Sequence, residues 1–170
     1  MPHLALVAVA LVVMLPGPAW AQPAVHPEQA AILAVVDSFM HAVSNNDDAL
    51  MATIRRAGTS TTVERPAEAG GMAIVRRDFT PAAAGSRAAT TGTVRERYWD
   101  PVVHVRGSIA LVWTPYEFWR DSRTSHCGID VFELVREEGA WRIGHVMYTV
   151  EPDACPALRP ADASRVRPAP

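Results

Sequence analysis

The sequence predicts one α+β domain, a curved antiparallel β-sheet with N-terminal helices packed across its concave face. Apolar residues recur at helical spacing early in the chain. After Val94 the pattern changes to four β-rich runs, 94–106, 108–120, 123–136 and 140–150, separated by short turn-forming breaks. Breaks this brief leave no room for parallel crossovers, so the runs form an antiparallel meander. A chain of 170 residues, 49% of them hydrophobic, supplies one core and not two.

The chain opens with an unbroken apolar run from Leu4 to Leu15, then Pro16-Gly17-Pro18 and the small-x-small string Ala19-Trp20-Ala21. This reads as a secretory signal peptide over residues 1–21, with an uncleaved anchor as the alternative. The run is shorter than the roughly 20 residues of a membrane span. The expected product is exported, periplasmic or secreted, and off the membrane once cleaved. The domain then occupies residues 22–155. Ile32, Val35, Val36, Phe39, Met40 and Val43 predict a one-sided helix that stops at Ser44-Asn45-Asn46. Asp47 or Asp48 caps a shorter helix with Leu50, Met51 and Ile54 on its apolar face. Residues 58–78 alternate weakly around Pro66 and Gly70-Gly71, as two short strands or one hairpin. Thr80-Pro81 opens an alanine-rich stretch that suits a small third helix to about Ala89. Pro101 and Pro115 cannot donate to a sheet ladder, so each marks an edge or a bulge, and bulges curve a sheet into a pocket. The Pro-rich residues 156–170, with almost no apolar content, are expected to form a disordered tail.

All 16 basic positions are Arg. Without Lys, Schiff-base, pyridoxal-phosphate and phosphate-loop lysine chemistry are excluded. A formal charge of −2 and no run of Arg argue against a nucleic-acid partner. No G-x-S-x-G elbow, H-E-x-x-H, phosphate loop or dinucleotide fingerprint is present, so hydrolase, zinc-protease and nucleotide-enzyme readings lack support and no cofactor is expected. In an oxidising compartment Cys127 and Cys155 are expected to form a disulfide, with two free buried thiols as the alternative. A metal site is not expected, because adjacent His126 and Cys127 point to opposite faces of a strand.

Three local strings carry a family resemblance. They are Tyr98-Trp99-Asp100-Pro101; Trp113-Thr114-Pro115-Tyr116-Glu117-Phe118-Trp119 with Ser125-His126-Cys127-Gly128; and Trp141-Arg142-Ile143 with Tyr148-Thr149. Over about residues 28–155 the chain resembles the nuclear transport factor 2-like superfamily, in particular its exported SnoaL-like bacterial branch. The resemblance implies a cone of curved antiparallel sheet closed by helices, a deep and mostly apolar cavity, and often a homodimer packed through the sheet. It implies no single activity, because the superfamily includes ketosteroid isomerases, polyketide cyclases, dehydratases and epoxide hydrolases beside members that only bind or scaffold.

Proton transfer in such a cavity needs two titratable groups whose surroundings push their pKa values apart. His126 and Asp130 share a strand face, Gly128 between them leaves room for a ligand, and Phe132 continues that face. Tyr116 on the neighbouring strand and Tyr148 on the last supply hydroxyls. His126, Asp130 and Tyr116 are therefore the catalytic candidates, against the alternative of an Asp and a His that merely satisfy each other. Trp113, Tyr148, His145, Phe132 and Trp99 are the ligand-binding candidates, since aromatic walls favour flat or apolar molecules. His145, alternating with Ile143 and Met147, is either a satisfied interior imidazole or a pocket group. Trp141 belongs to the core, and Asp37 and His41 to a solvated margin of the first helix. The leading expectation is an exported cone that binds a small, largely apolar molecule or a partner chain without catalysis. The second is a cofactor-free isomerase, cyclase or dehydratase with Asp130 or His126 as base and Tyr116 or Tyr148 as acid. The third is an interaction module with a plugged cavity.

Overall fold

The computed structural model describes residues 26–80 and 92–167. The expected signal peptide and third helix lie outside these residues. Helix α1 (Gln29–Asn45) buries Ile32, Val36, Phe39 and Met40 along the stripe that the periodicity predicts. It ends where Asn46 adopts a left-handed backbone, φ 52°, and returns its N–H to the carbonyls of the last turn. The Asp47 carboxylate accepts the Leu50 N–H at 2.8 Å and so caps α2 (Asp48–Ile54).

Helix α2 passes directly into β1 (Arg55–Pro66), which pairs antiparallel with β2 (Met72–Asp78) as the expected hairpin, in longer strands than the weak alternation suggests. The first β-rich run divides at Asp100-Pro101 into β3 (Val94–Trp99) and β4 (Val102–Arg106). Strands β5 (Ile109–Arg120), β6 (Arg123–Glu137) and β7 (Ala140–Thr149) follow the remaining runs. Asp121-Ser122 and Glu138-Gly139 hold positive φ at both positions, the two-residue turn geometry that matches strand twist.

The strands form one curved, open sheet in the order β2-β1-β7-β6-β5-β3, with β4 also beside β5. One feature corrects the all-antiparallel expectation: β1 runs parallel to β7. Parallel neighbours need a long connection, and here the whole chain from β2 to β6 provides it. Pro115 stays in register opposite Ile129 and makes no bulge; it sits where one edge of β5 passes from pairing with β4 to pairing with β3. The register shifts fall instead at Ser125 and Gly144. Both helices lie on the concave face, where Phe39 meets Phe132 edge-on at 5.1 Å amid Val112, Leu134 and Ile143. Each such side chain contributes roughly 1.5–3 kcal/mol by leaving water. Trp141 is core as expected, its indole N–H donating to Glu28 at 2.9 Å.

The C-terminal segment corrects a second expectation. Rather than a disordered tail, the chain from Pro156 to Arg167 straps the outer face of the sheet. Helix α3 (Cys155–Leu158) is tied down by the Cys127–Cys155 disulfide, and the Trp99 indole N–H donates to the Leu158 carbonyl at 2.7 Å. Arg159 pairs with Glu117, Arg165 with Asp100 and Arg167 with Asp37, and β8 (Val166–Arg167) adds to β3. Ordering here comes from these pairings, which a composition low in apolar residues does not reveal. Asp37 is accordingly not a solvated residue: it also accepts the Tyr98 hydroxyl at 2.6 Å. Glu117 is fully buried, and burial alone would raise its pKa, yet hydrogen bonds from Arg159, Thr124 and Arg97 hold it down at about 2.

Replacing both cysteines by Ser is expected to cost about 3.5 kcal/mol, the loop-closure term for a bridge of this span. Urea unfolding of the double variant measures it; a midpoint equal to that of the wild type would contradict the strap.

Candidate functional site

A cavity of about 550 Å³ lies between the two helices, the β1–β2 hairpin and the adjoining ends of β5 and β6. That volume suits a small organic molecule. Phe39, Val43 and Met51 from the helices and Val63 and Val75 from the hairpin make its walls mostly apolar. His126 and Asp130 share one face of β6, as the sequence predicts, and the structure turns that face inward. Register then places Tyr116 opposite Gly128, and Tyr148 opposite Asp130. His126, Asp130, Tyr116 and Tyr148 therefore line one cavity.

The rings form a continuous aromatic wall. His126 stacks on Phe118 with centroids 5.2 Å apart, and Tyr116 stands edge-on to His126 at 5.7 Å and to Tyr148 at 6.1 Å. Burial and the nearby Arg120 guanidinium lower the His126 pKa, so the imidazole is neutral at neutral pH. His126 and Asp130 are not paired with each other: His126 Nδ1 meets the Ser125 hydroxyl at 3.1 Å.

Asp130 is 1% exposed, and its Oδ2 has no hydrogen-bond partner among the described residues. Desolvation and the charge of Glu96 raise its pKa well above the usual carboxylate range. Glu96, from β3, faces the same space and is 7% exposed; burial pushes its carboxyl up to about 8. Sequence reasoning missed Glu96 because it stands between Arg95 and Arg97 in a run that reads as a solvated face. The available signal was its inward parity with Tyr98 on the same strand. Two carboxyls pushed toward their neutral forms within one cavity are a source of hydrogen-bond donors and of transferable protons.

Several expectations need correction. Tyr116 donates its hydroxyl proton to the Thr149 carbonyl at 2.7 Å, so that proton is engaged by the backbone rather than offered to a ligand. Gly128 makes no room for a ligand; a Cβ there would lie 2.1 Å from the Thr149 carbonyl and 2.8 Å from the Tyr116 ring. Trp113 is half exposed on the outer face, Trp99 packs outside against the disulfide, and Phe132 is buried beneath Phe39. His145 faces outward because the extra residue at Gly144 reverses its parity with Ile143. There its Nδ1 meets Ser60 Oγ at 2.9 Å. Glu117, Cys127 and Cys155 come within chelating reach of one another, but the disulfide consumes both thiols and arginines occupy the carboxylate.

Between the ordinary carboxyl value of 4.5 and about 8, folded Glu96 holds a proton that the unfolded chain has lost. Stability from this source is whole below that window and is lost as the pH rises through it. The melting temperature is expected to fall from about pH 5 to about pH 9, and to fall less in Glu96→Gln. Calorimetric scans across that range check this, and identical slopes in the two proteins would refute it.

No protein-family model and no curated protein sequence matches the chain. Solved structures do match. A protein of unknown function with a cystatin-like fold from Nostoc punctiforme superposes with a TM-score of 0.56 at 11% identity, over 74% of this chain and 92% of its own. The beta subunit of a candidate aromatic-ring-hydroxylating dioxygenase from Novosphingobium aromaticivorans gives 0.56 at 16% identity, over 72% and 88%. A nuclear transport factor 2-like protein of unknown function from Pseudomonas putida gives 0.51 at 17% identity, over 71% and 84%. At identities this low the likeness speaks for the fold alone.

Proposed function

We propose that this chain, which has the nuclear transport factor 2-like fold, binds a small, largely apolar molecule in the cavity and grips a hydrogen-bond acceptor on it with the Glu96–Asp130 pair. One observation carries the reading: Asp130 is buried with Oδ2 unpartnered among the described residues, beside a second buried acid and facing a mostly apolar hollow. A buried polar atom without a partner is costly, and a ligand carbonyl would relieve that cost. The aromatic wall suits a flat molecule. The protein is exported in this reading, as a member of the SnoaL-like branch. The disulfide accords with an oxidising compartment, and no described helix is long and apolar enough to cross a membrane. Two copies pack through the outer face of the sheet, where Val102 and Trp113, both about half exposed, stand in one row with Val131 and Met147.

A second reading, a cofactor-free isomerase, cyclase or dehydratase, draws on the same pair. One carboxyl, when ionised, takes a proton from carbon next to a carbonyl while the other donates to the carbonyl oxygen. Tyr148, whose hydroxyl makes no hydrogen bond to a described residue, then replaces Tyr116 as the auxiliary donor.

Fluorescence titration with 2-acetylnaphthalene and with 2-ethylnaphthalene, which lacks the acceptor, separates these cases. The ketone is expected to bind about tenfold more tightly, the worth of one sheltered hydrogen bond, and Asp130→Leu, which removes the donor, to erase most of the difference. Equal binding of both probes, or of neither, counts against the proposal. Exchange of the ketone's methyl protons with deuterated water, faster with wild type than with Glu96→Gln, would select the catalytic reading. Native mass spectrometry of the same preparation reads the dimer.

A further inference from the structure

We propose that the cavity takes an amphipathic oxo acid, with its carbonyl at the Glu96–Asp130 end and a carboxylate seated by Arg55 and Arg77 on the opposite wall. The inference rests on the binding reading above and adds the ligand's charge and length. Arg55, the first residue of β1, is 6% exposed and lines the cavity. Its guanidinium donates to Thr61 Oγ1 at 3.0 Å and to the Ser60 carbonyl at 3.1 Å, and lies 4.3 Å from the centre of the Phe79 ring. Its Nε is buried with no partner among the described residues. Burial lowers the Arg55 pKa to about 10, so the group is still charged at neutral pH. Arg77 stands directly across from Thr61 on β2 and lines the same wall.

Arg55 donates to Thr61, Arg77 is the cross-strand neighbour of Thr61, and no described carboxylate pairs with either guanidinium. Asp78, the acid beside them, faces Arg76 at 3.7 Å. A buried cation without a counter-ion calls for an anion, and the planar donors of Arg suit a carboxylate. Two further cations line the cavity: Arg65 acts electrostatically on Tyr148, and Arg120 on His126. Strand order sets the length. From Asp130 on β6, the sheet crosses β7 to reach β1 and then β2, which at strand spacing places the backbones of Arg55 and Arg77 two and three strands, roughly 10–14 Å, from that of Asp130. A carbonyl and a carboxylate at opposite ends of a two-ring aromatic body span about that distance.

The test compares 6-acetyl-2-naphthoate with neutral 2-acetylnaphthalene in wild type, Arg77→Gln and Arg106→Gln, the last lying outside the cavity. Arg77 is exposed, so its replacement leaves the fold intact where that of Arg55 would endanger it. The naphthoate is expected to bind about tenfold more tightly than the ketone at low salt. Arg77→Gln should lose most of that gain with the ketone's affinity unchanged, and Arg106→Gln should keep it. If the ketone binds and the naphthoate binds no tighter, or if Arg77→Gln keeps the full gain, the oxo-acid inference falls and the binding reading stands. If neither compound binds, both fall.

Discussion

The structure depends on the sheltering of two carboxyl groups, Glu96 and Asp130, on the concave side of a sheet otherwise committed to apolar packing. A carboxylate cannot be taken from water cheaply, so these groups adjust by holding their protons at pH values where ordinary acids have lost them. The helices must then cover the sheet without filling it. Phe39 and Met40 seal one part of the concave face, while Phe39, Val43 and Met51 leave a hollow beside the acids. Stability given up on the inner face is offset elsewhere. The disulfide, the Trp99 hydrogen bond and the Arg159–Glu117 pair stiffen the outer face of the same strands, and Arg167 ties the strap's end to α1.

Glu117 and Glu96 show how one side-chain type is driven in opposite directions by its surroundings. Both lie on adjacent strands and both are buried. Glu117 turns outward, where arginines and a threonine hydroxyl hold it ionised far below the usual range. Glu96 turns inward, where burial dominates and its carboxyl is pushed up. A single step of strand parity separates a structural ion pair from a group with chemical potential.

Much of this was legible in the residues. The stripe on α1, a cap at Asp47 or Asp48, the short turns and the face shared by His126 and Asp130 follow from periodicity and turn chemistry, and the disulfide from an even pair of cysteines in an oxidising compartment. What escaped depended on contacts between distant parts of the chain. The parallel β1–β7 pair has no local signature. Gly144 flips His145 only because an extra residue enters the ladder, and a glycine in a strand gives no warning of which parity it will break. The strap is ordered by Arg159, Arg165 and Arg167 finding acids 42, 65 and 130 positions away. Glu96 is hidden in the sequence by the arginines on either side of it, which point to the other face.

The most direct measurement is a carbon-13 titration of the side-chain carboxyls in isotopically labelled protein, with Glu96 and Asp130 assigned by substitution. The account predicts that both carboxyls remain protonated well above the ordinary carboxylate range, and that Asp130 titrates lower once Glu96 is Gln. Two ordinary titrations, each complete in the usual acid range and indifferent to the other residue, would contradict it.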